Sequence, residues 1–179
     1  MPVVRSHPLI EQIMADWREP IGPLYDGYRG HVYRMFNCCL ALQCCSREEQ
    51  DQLAIAAAFH DLGLWSARTL DYLPPSVVLA QQWLRCHGHD PWSADIGLMI
   101  DFHHKLRPYR GQGPALVELF RKADLVDFSR GLIRFGLSTD FIKQLGAEWP
   151  NAGFHRFLLV RGARWLLQHP LRPAPFLKW

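Results

Sequence analysis

The stretch "AAAFHDLGLW" sets an imidazole and a carboxylate, His60 and Asp61, side by side at the end of a run of small residues. Leu53, Ala56, Ala57 and His60 are related by steps of three, four and seven, so His60 falls on the apolar stripe of a helix and points inward. Asp61 lies about 100° further round, close enough for both side chains to converge on one point at the helix end. The pattern recurs in Ile96, Met99, Ile100 and His103, and again in Val117, Phe120 and Asp124, while His31 follows directly on Gly30. Burying five such groups unpaired is expensive, because an uncompensated buried carboxylate costs several kcal/mol or shifts its pKa. A divalent cation removes the difficulty, since imidazole nitrogen and carboxylate oxygen together suit Mn, Fe, Co, Ni or Zn, with Mg not distinguishable by residue type alone. Two His and two Asp with open positions would leave room for water, whose pKa a metal lowers, which is the chemistry of metal-assisted hydrolysis. Asp127, one turn beyond Asp124, competes with it for the same role.

The elements that must position these groups read as helices throughout, and alternating strand patterns are absent, so the fold class is all-α. An amphipathic segment from Pro8 to Arg18 is ended by Pro20 and the Gly22-Pro23 pair, and a second helix starts near Arg29, with His31 at its opening. "SREE" at Ser46 to Glu49 is a capping box for a third helix over about 47–62, which carries the His-Asp doublet and ends at Gly63. A loop over "SARTLDYLPP" precedes a helix over about 76–86, and Asp90-Pro91 supplies an N-cap and first-turn Pro for "PWSADIGLMIDFHHK". Pro114 opens "PALVELFRKADLVDF", Ser138 or Thr139 caps a short helix to about Glu148, and a last helix spans about 150–168. No internal repeat or linker stands out, which implies one domain.

With 179 residues, 49% of them apolar, the chain is long enough to bury a real core without disulfides. The net charge of +3 comes from scattered Lys and Arg, which argues against a nucleic-acid polymer as partner and leaves small anionic ligands open. Five cysteines, in the doublets Cys38-Cys39 and Cys44-Cys45 and a lone Cys86, form no secreted disulfide framework and read as small buried hydrophobes. No signal-peptide pattern and no membrane-length apolar run is evident, so the expected location is the cytoplasm. Lys105, Arg107 and Arg110 follow the His pair closely and suit a phosphate as well as they suit a solvated loop, with Lys122 and Arg68 as more distant candidates. Trp65, near the doublet, is a candidate pocket wall or a core aromatic.

His31, the doublet in "AAAFHDLG" and Asp124 in "FRKADLVDF" together resemble the His, His-Asp, Asp signature of the HD-domain superfamily of metal-dependent phosphohydrolases. The resemblance covers roughly residues 28–128 and implies a helical HD bundle, with the helices of 138–169 packing on it. It implies His31, His60, Asp61 and Asp124 as metal ligands, with Asp61 also orienting or deprotonating the attacking water. His103 would be a group behind the ligands, a substrate contact or a ligand of a second ion. His104 is its neighbour in substrate binding, beside Lys105 and Arg107. His87 and His89 are further ligand candidates of the kind that two-metal members possess.

The sequence reads "KLRPYRG" after the His pair, without the Gly-Tyr-Pro element of the cyclic-dinucleotide branch, and Leu64 stands where some nucleotidase members have Glu. The resemblance therefore implies hydrolysis of a small phosphorylated compound, a nucleotide among them, with a homo-oligomer compatible. A hydratase, a hydrolase of a non-phosphate substrate, or a diiron oxygenase is the alternative. A catalytically idle module that binds a nucleotide or a protein is the third reading.

Overall fold

Ser46 and Glu49 close the capping box that their spacing predicts: the Glu49 amide donates to Ser46 Oγ (3.2 Å) and the Ser46 amide to Glu49 Oε2 (2.6 Å). The helix they start, α3, ends at Phe59 rather than at Leu62, because the bonding tightens there and the Leu62 amide donates to the Phe59 carbonyl three residues back. In this computed structural model, which describes residues 2–111, 113 and 115–178, the other helices are α1 (Pro8–Ile21), α2 (Tyr25–Leu42), α4 (Gly63–Ser66), α5 (Leu73–Cys86), α6 (Ser93–Phe102), α7 (Leu116–Phe128), α8 (Thr139–Glu148) and α9 (Phe154–Gln168). No β-strand occurs among the described residues, and the expected all-α bundle is what forms.

Several boundaries depart from the sequence reading for identifiable reasons. Pro20 stands inside the last turn of α1, and the chain turns away only at Gly22, where φ is 66°. α2 begins at Tyr25, not Arg29, because Tyr25 and Tyr28 extend the buried stripe of Val32, Met35, Phe36 and Cys39 backwards; His31 therefore sits in the second turn. α5 begins at Leu73, since Pro74 and Pro75 occupy the first turn, where no amide hydrogen is required. Asp90 does not cap α6; residues 90–92 form a 3₁₀ turn, and α6 stops at Phe102 so that His103 and His104 follow it. α9 starts at Phe154, after Gly153 in the left-handed region. Ser138 caps α8 as expected, its Oγ accepting the Phe141 amide at 3.1 Å. Pro114, expected to open α7, lies outside the described residues.

Gly63 does not terminate a helix. It opens α4, and a Cβ there would sit 2.2 Å from the Tyr72 carbonyl oxygen, so it is the absence of a side chain that lets the start of α5 approach. α3 is the central rod, packed against α1, α2, α5, α6 and α7, with Ala54, Ala56, Ala57 and Ala58 fully buried. Small residues let those five neighbours come close, as in any well-packed interior. Cys38 and Cys39 are buried in the same core; Cys44 and Cys86 are exposed, and no disulfide forms among the described residues. α8 and α9 lie against α2. Beyond α9 the chain returns, and the Leu106 amide donates to the Lys178 carbonyl at 2.8 Å. No helix of the described residues is long and apolar enough to cross a membrane.

Candidate metal centre

Both doublets stand where a helix stops. His60 and Asp61 leave the end of α3, His103 and His104 leave the end of α6, and adjacent residues at a helix end can converge in a way that a continuing helix forbids. His31 comes from α2 and Asp124 from α7, which pack along each other. The structure thereby brings together all four expected ligands and both histidines of the second pair, on or beside four helices.

The three inner histidines are oriented alike. His60 Nδ1 bonds the Ala57 carbonyl (2.7 Å) and His103 Nδ1 the Ile100 carbonyl (2.6 Å), so each Nδ1 must carry the hydrogen, a carbonyl being only an acceptor. His31 Nδ1 meets Asp127 Oδ2 at 2.6 Å. All three Nε2 atoms then face a common centre. His31 Nε2 and His60 Nε2 are 2.9 Å apart, and two lone pairs cannot bond each other, so a proton or a cation belongs between them. Around them, His60 Nε2 lies 3.4 Å from Asp61 Oδ2, and His31 Nε2 lies 3.8 Å from Asp61 Oδ2 and 3.6 Å from Asp124 Oδ1. His103 Nε2 is 3.6 Å from Asp61 Oδ1, too far for a hydrogen bond, and both atoms are buried without a partner. His104 Nδ1 is 3.3 Å from Asp124 Oδ2.

Burial would drive both central carboxyls neutral. For Asp61 the imidazoles of His60, His103 and His31 outweigh burial and hold the carboxyl far below its usual range; Asp124 is lowered by His104, His103 and His31. Burial pushes His60 down to about 4, and Asp61 offsets only part of that, so its ring is a neutral donor of a lone pair. His31 is raised above an ordinary imidazole because Asp127, Asp124 and Asp61 outweigh its burial, and Asp61 and Asp124 raise His103 likewise.

The Arg34 guanidinium is engaged by Asp127, to which its Nε and Nη2 both donate, and among the described residues no Lys or Arg pairs with Asp61 or Asp124. With the surrounding imidazoles neutral, Asp61 and Asp124 carry two negative charges, which a divalent ion would cancel. His31, His60 and Asp61 offer atoms near enough to one another to hold a metal ion, and so do Asp61, His103 and His104. Facing lone pairs, orphaned buried acceptors and uncancelled charge all fit such an ion.

Asp127 therefore does not displace Asp124. It stands behind His31, fixing that ring's tautomer, and is tied in turn to Arg34 and, through its carbonyl, to His155 Nε2 (3.1 Å). Arg34, His155 and two tyrosines were not singled out in the sequence. Tyr28 donates to the Ala58 carbonyl (2.9 Å) and lies under the Asp61 amide (3.4 Å), pinning the end of α3; Tyr72 OH pairs with His104 Nε2 at 2.7 Å. Only the tyrosines carried a sequence signal, as large aromatics near the motif whose hydroxyls need partners when buried.

The remaining candidates are dispersed. Lys105, with His103, His104, Arg121 and Asp124, lines a small cavity of about 120 Å³. Arg107 and Arg110 are exposed on the following segment, and Lys122 faces Glu118 at 4.0 Å. Arg68 lies with Arg161 and Arg164 beside α9. His87 and His89 stack on Trp83 and Trp92 at the far end of α5, away from the other histidines, which removes them as ligands of this centre. Trp65 joins an aromatic cluster, 4.9 Å from Tyr28 and 5.7 Å from Phe157 between ring centres.

A helical bundle with a buried His/Asp cluster able to bind metal fits an HD-like fold. Comparison with protein-family models, with curated proteins and with solved structures finds no match for the chain.

Proposed function

We propose that the protein is a member of the HD-domain superfamily and a metal-dependent hydrolase of a small phosphorylated compound. The observation that carries this reading is the 2.9 Å approach of two buried Nε2 lone pairs beside two ionised carboxylates. His31, His60, Asp61 and Asp124 would hold the ion, which when bound supplies positive charge against a phosphoryl oxygen and acidifies a water. Asp61 keeps one oxygen, Oδ1, free of any hydrogen bond, and that oxygen can accept a hydrogen bond from the attacking water and orient it. His103, raised by its two carboxylate neighbours, can donate from Nε2 to the departing oxygen. Lys105 contributes a cation at the cavity that reaches His103 and Asp124, suited to the remaining phosphoryl oxygens.

The protein purified without chelator should contain close to one divalent ion per chain or more and should hydrolyse members of a phosphoester panel. Asp61→Ala should lower metal content and reduce turnover by at least about a hundredfold. Full metal content and unchanged turnover in that variant would sink the proposal. The nearness of Asp61, His103 and His104 also favours a second ion, and so a diiron oxygenase as the rival. Two irons per chain with a visible absorption band, and no phosphoester turnover, would decide for it.

A further inference from the structure

Beside the centre lies a second and larger space, a chamber of about 620 Å³ between α9, the end of α7 and the returning C-terminal segment. Its volume is that of a small-molecule site, and its walls are apolar, with Leu70, Phe128, Leu158, Leu166 and Phe176 prominent. Among the described residues no Lys, Arg, Asp or Glu lines it. Tyr72, His104 and His155 supply its main polar groups, and each is already engaged: Tyr72 OH with His104 Nε2, and His155 Nε2 with the Asp127 carbonyl. A ribose or a sugar placed there would find few hydrogen-bonding groups on the walls, whereas an apolar group would cover apolar surface.

The chamber adjoins the small cavity on the His103 and Asp124 side of the metal centre. His104, Phe128 and Phe176 line both it and the small cavity that contains Asp124, His103 and Lys105. His104 is the hinge of this arrangement, facing Asp124 on one side and Tyr72 on the other. A molecule with an anionic head and an apolar body is the chemistry that fits both spaces at once.

Resting on the hydrolase reading above, we propose that the substrate is a phosphoester of an apolar alcohol or phenol. The phosphoryl group lies in the small cavity of Asp124, His103 and Lys105, and the apolar portion lies along α9. Specificity then resides in the tail, through removal of apolar surface from water.

Two probe pairs test this on the full-length protein. Octylphosphonate and methylphosphonate, which resist hydrolysis, are compared by calorimetry; para-butylphenyl phosphate and phenyl phosphate, with nearly the same leaving group, are compared in turnover. The longer member of each pair should be favoured by more than about tenfold, in Kd and in kcat/KM respectively. Gly162→Phe should bring both ratios to within about twofold, because Gly162 lines the chamber and a Cβ there meets nothing within 4 Å. A helical circular dichroism spectrum reports that the variant folds, and Leu166→Gln, at a half-exposed wall position, serves as a second variant.

Equal affinity for the two phosphonates in the unsubstituted protein would overturn the inference. So would ratios that both variants leave unchanged, or variants that alter only the oligomeric state, which would make this face a contact between copies. Lack of bound metal and of any turnover would overturn the hydrolase reading, and the phosphonate ratio would still decide the chamber.

Discussion

Asp127 shows how much of the centre depends on a residue that touches none of its open positions. Its carboxylate receives His31 Nδ1 and is itself held well below the usual range, by His31 and Arg34 acting against burial. Asp127→Asn would weaken the constraint on the His31 tautomer and leave Arg34 buried without an anionic partner. We expect metal affinity to fall by about 10- to 100-fold, measured by chelator competition, with Asp124 and the doublet intact. Protons should compete with metal for the same nitrogens. Because His31 and His103 are raised above the ordinary imidazole value of about 6.5, that competition begins above this pH. Affinity should hold at about pH 8 and fall steadily towards about pH 6, and a flat profile over that range would contradict the geometry of facing Nε2 atoms.

Helix ends and helix contacts set the geometry in which those residues act. Ser46→Ala removes one half of the capping box and should cost about 1 kcal/mol in chemical denaturation without altering metal stoichiometry, since α3 delivers its ligands at the opposite end. Gly63→Ala is the contrary case. A methyl group would meet the Tyr72 carbonyl at 2.2 Å and Ser76 Oγ at 2.9 Å, so α5 must move away, carrying Tyr72 from its bond to His104. We expect a loss of about 1–3 kcal/mol in denaturation midpoint stability, accompanied by a change in metal affinity that Ser46→Ala does not produce. The capping box was legible because it is local, written in residues three apart. The role of Gly63 was not, because the backbone it admits comes from nine residues later in the chain, and its apparent role as a stop signal reflected local statistics only.

For the whole molecule, binding at a buried centre fed by α2, the end of α3, the end of α6 and α7 must couple to folding, since these elements meet only in the native state. Chelation should lower the thermal midpoint, and metal at about a hundred times its Kd should restore about 2.7 kcal/mol. A midpoint indifferent to chelator and to added metal would mean that the cluster is closed by a proton and holds no ion.

The sequence by itself determined the helical class and the inward phase of His60, His103 and Asp124. It also determined that these polar groups needed one another, because periodicity and the cost of burying charge are local and additive facts. The tertiary structure alone decided the rest. It put Asp124 at the centre and Asp127 behind His31, although the two lie three residues apart on one helix. It set Tyr72, Phe176 and α9 around His104, which comes from a different part of the chain from any of them. Those outcomes turn on which helix faces which and on where each one stops. They depend on packing between segments far apart in the chain, which spacing within one segment does not specify.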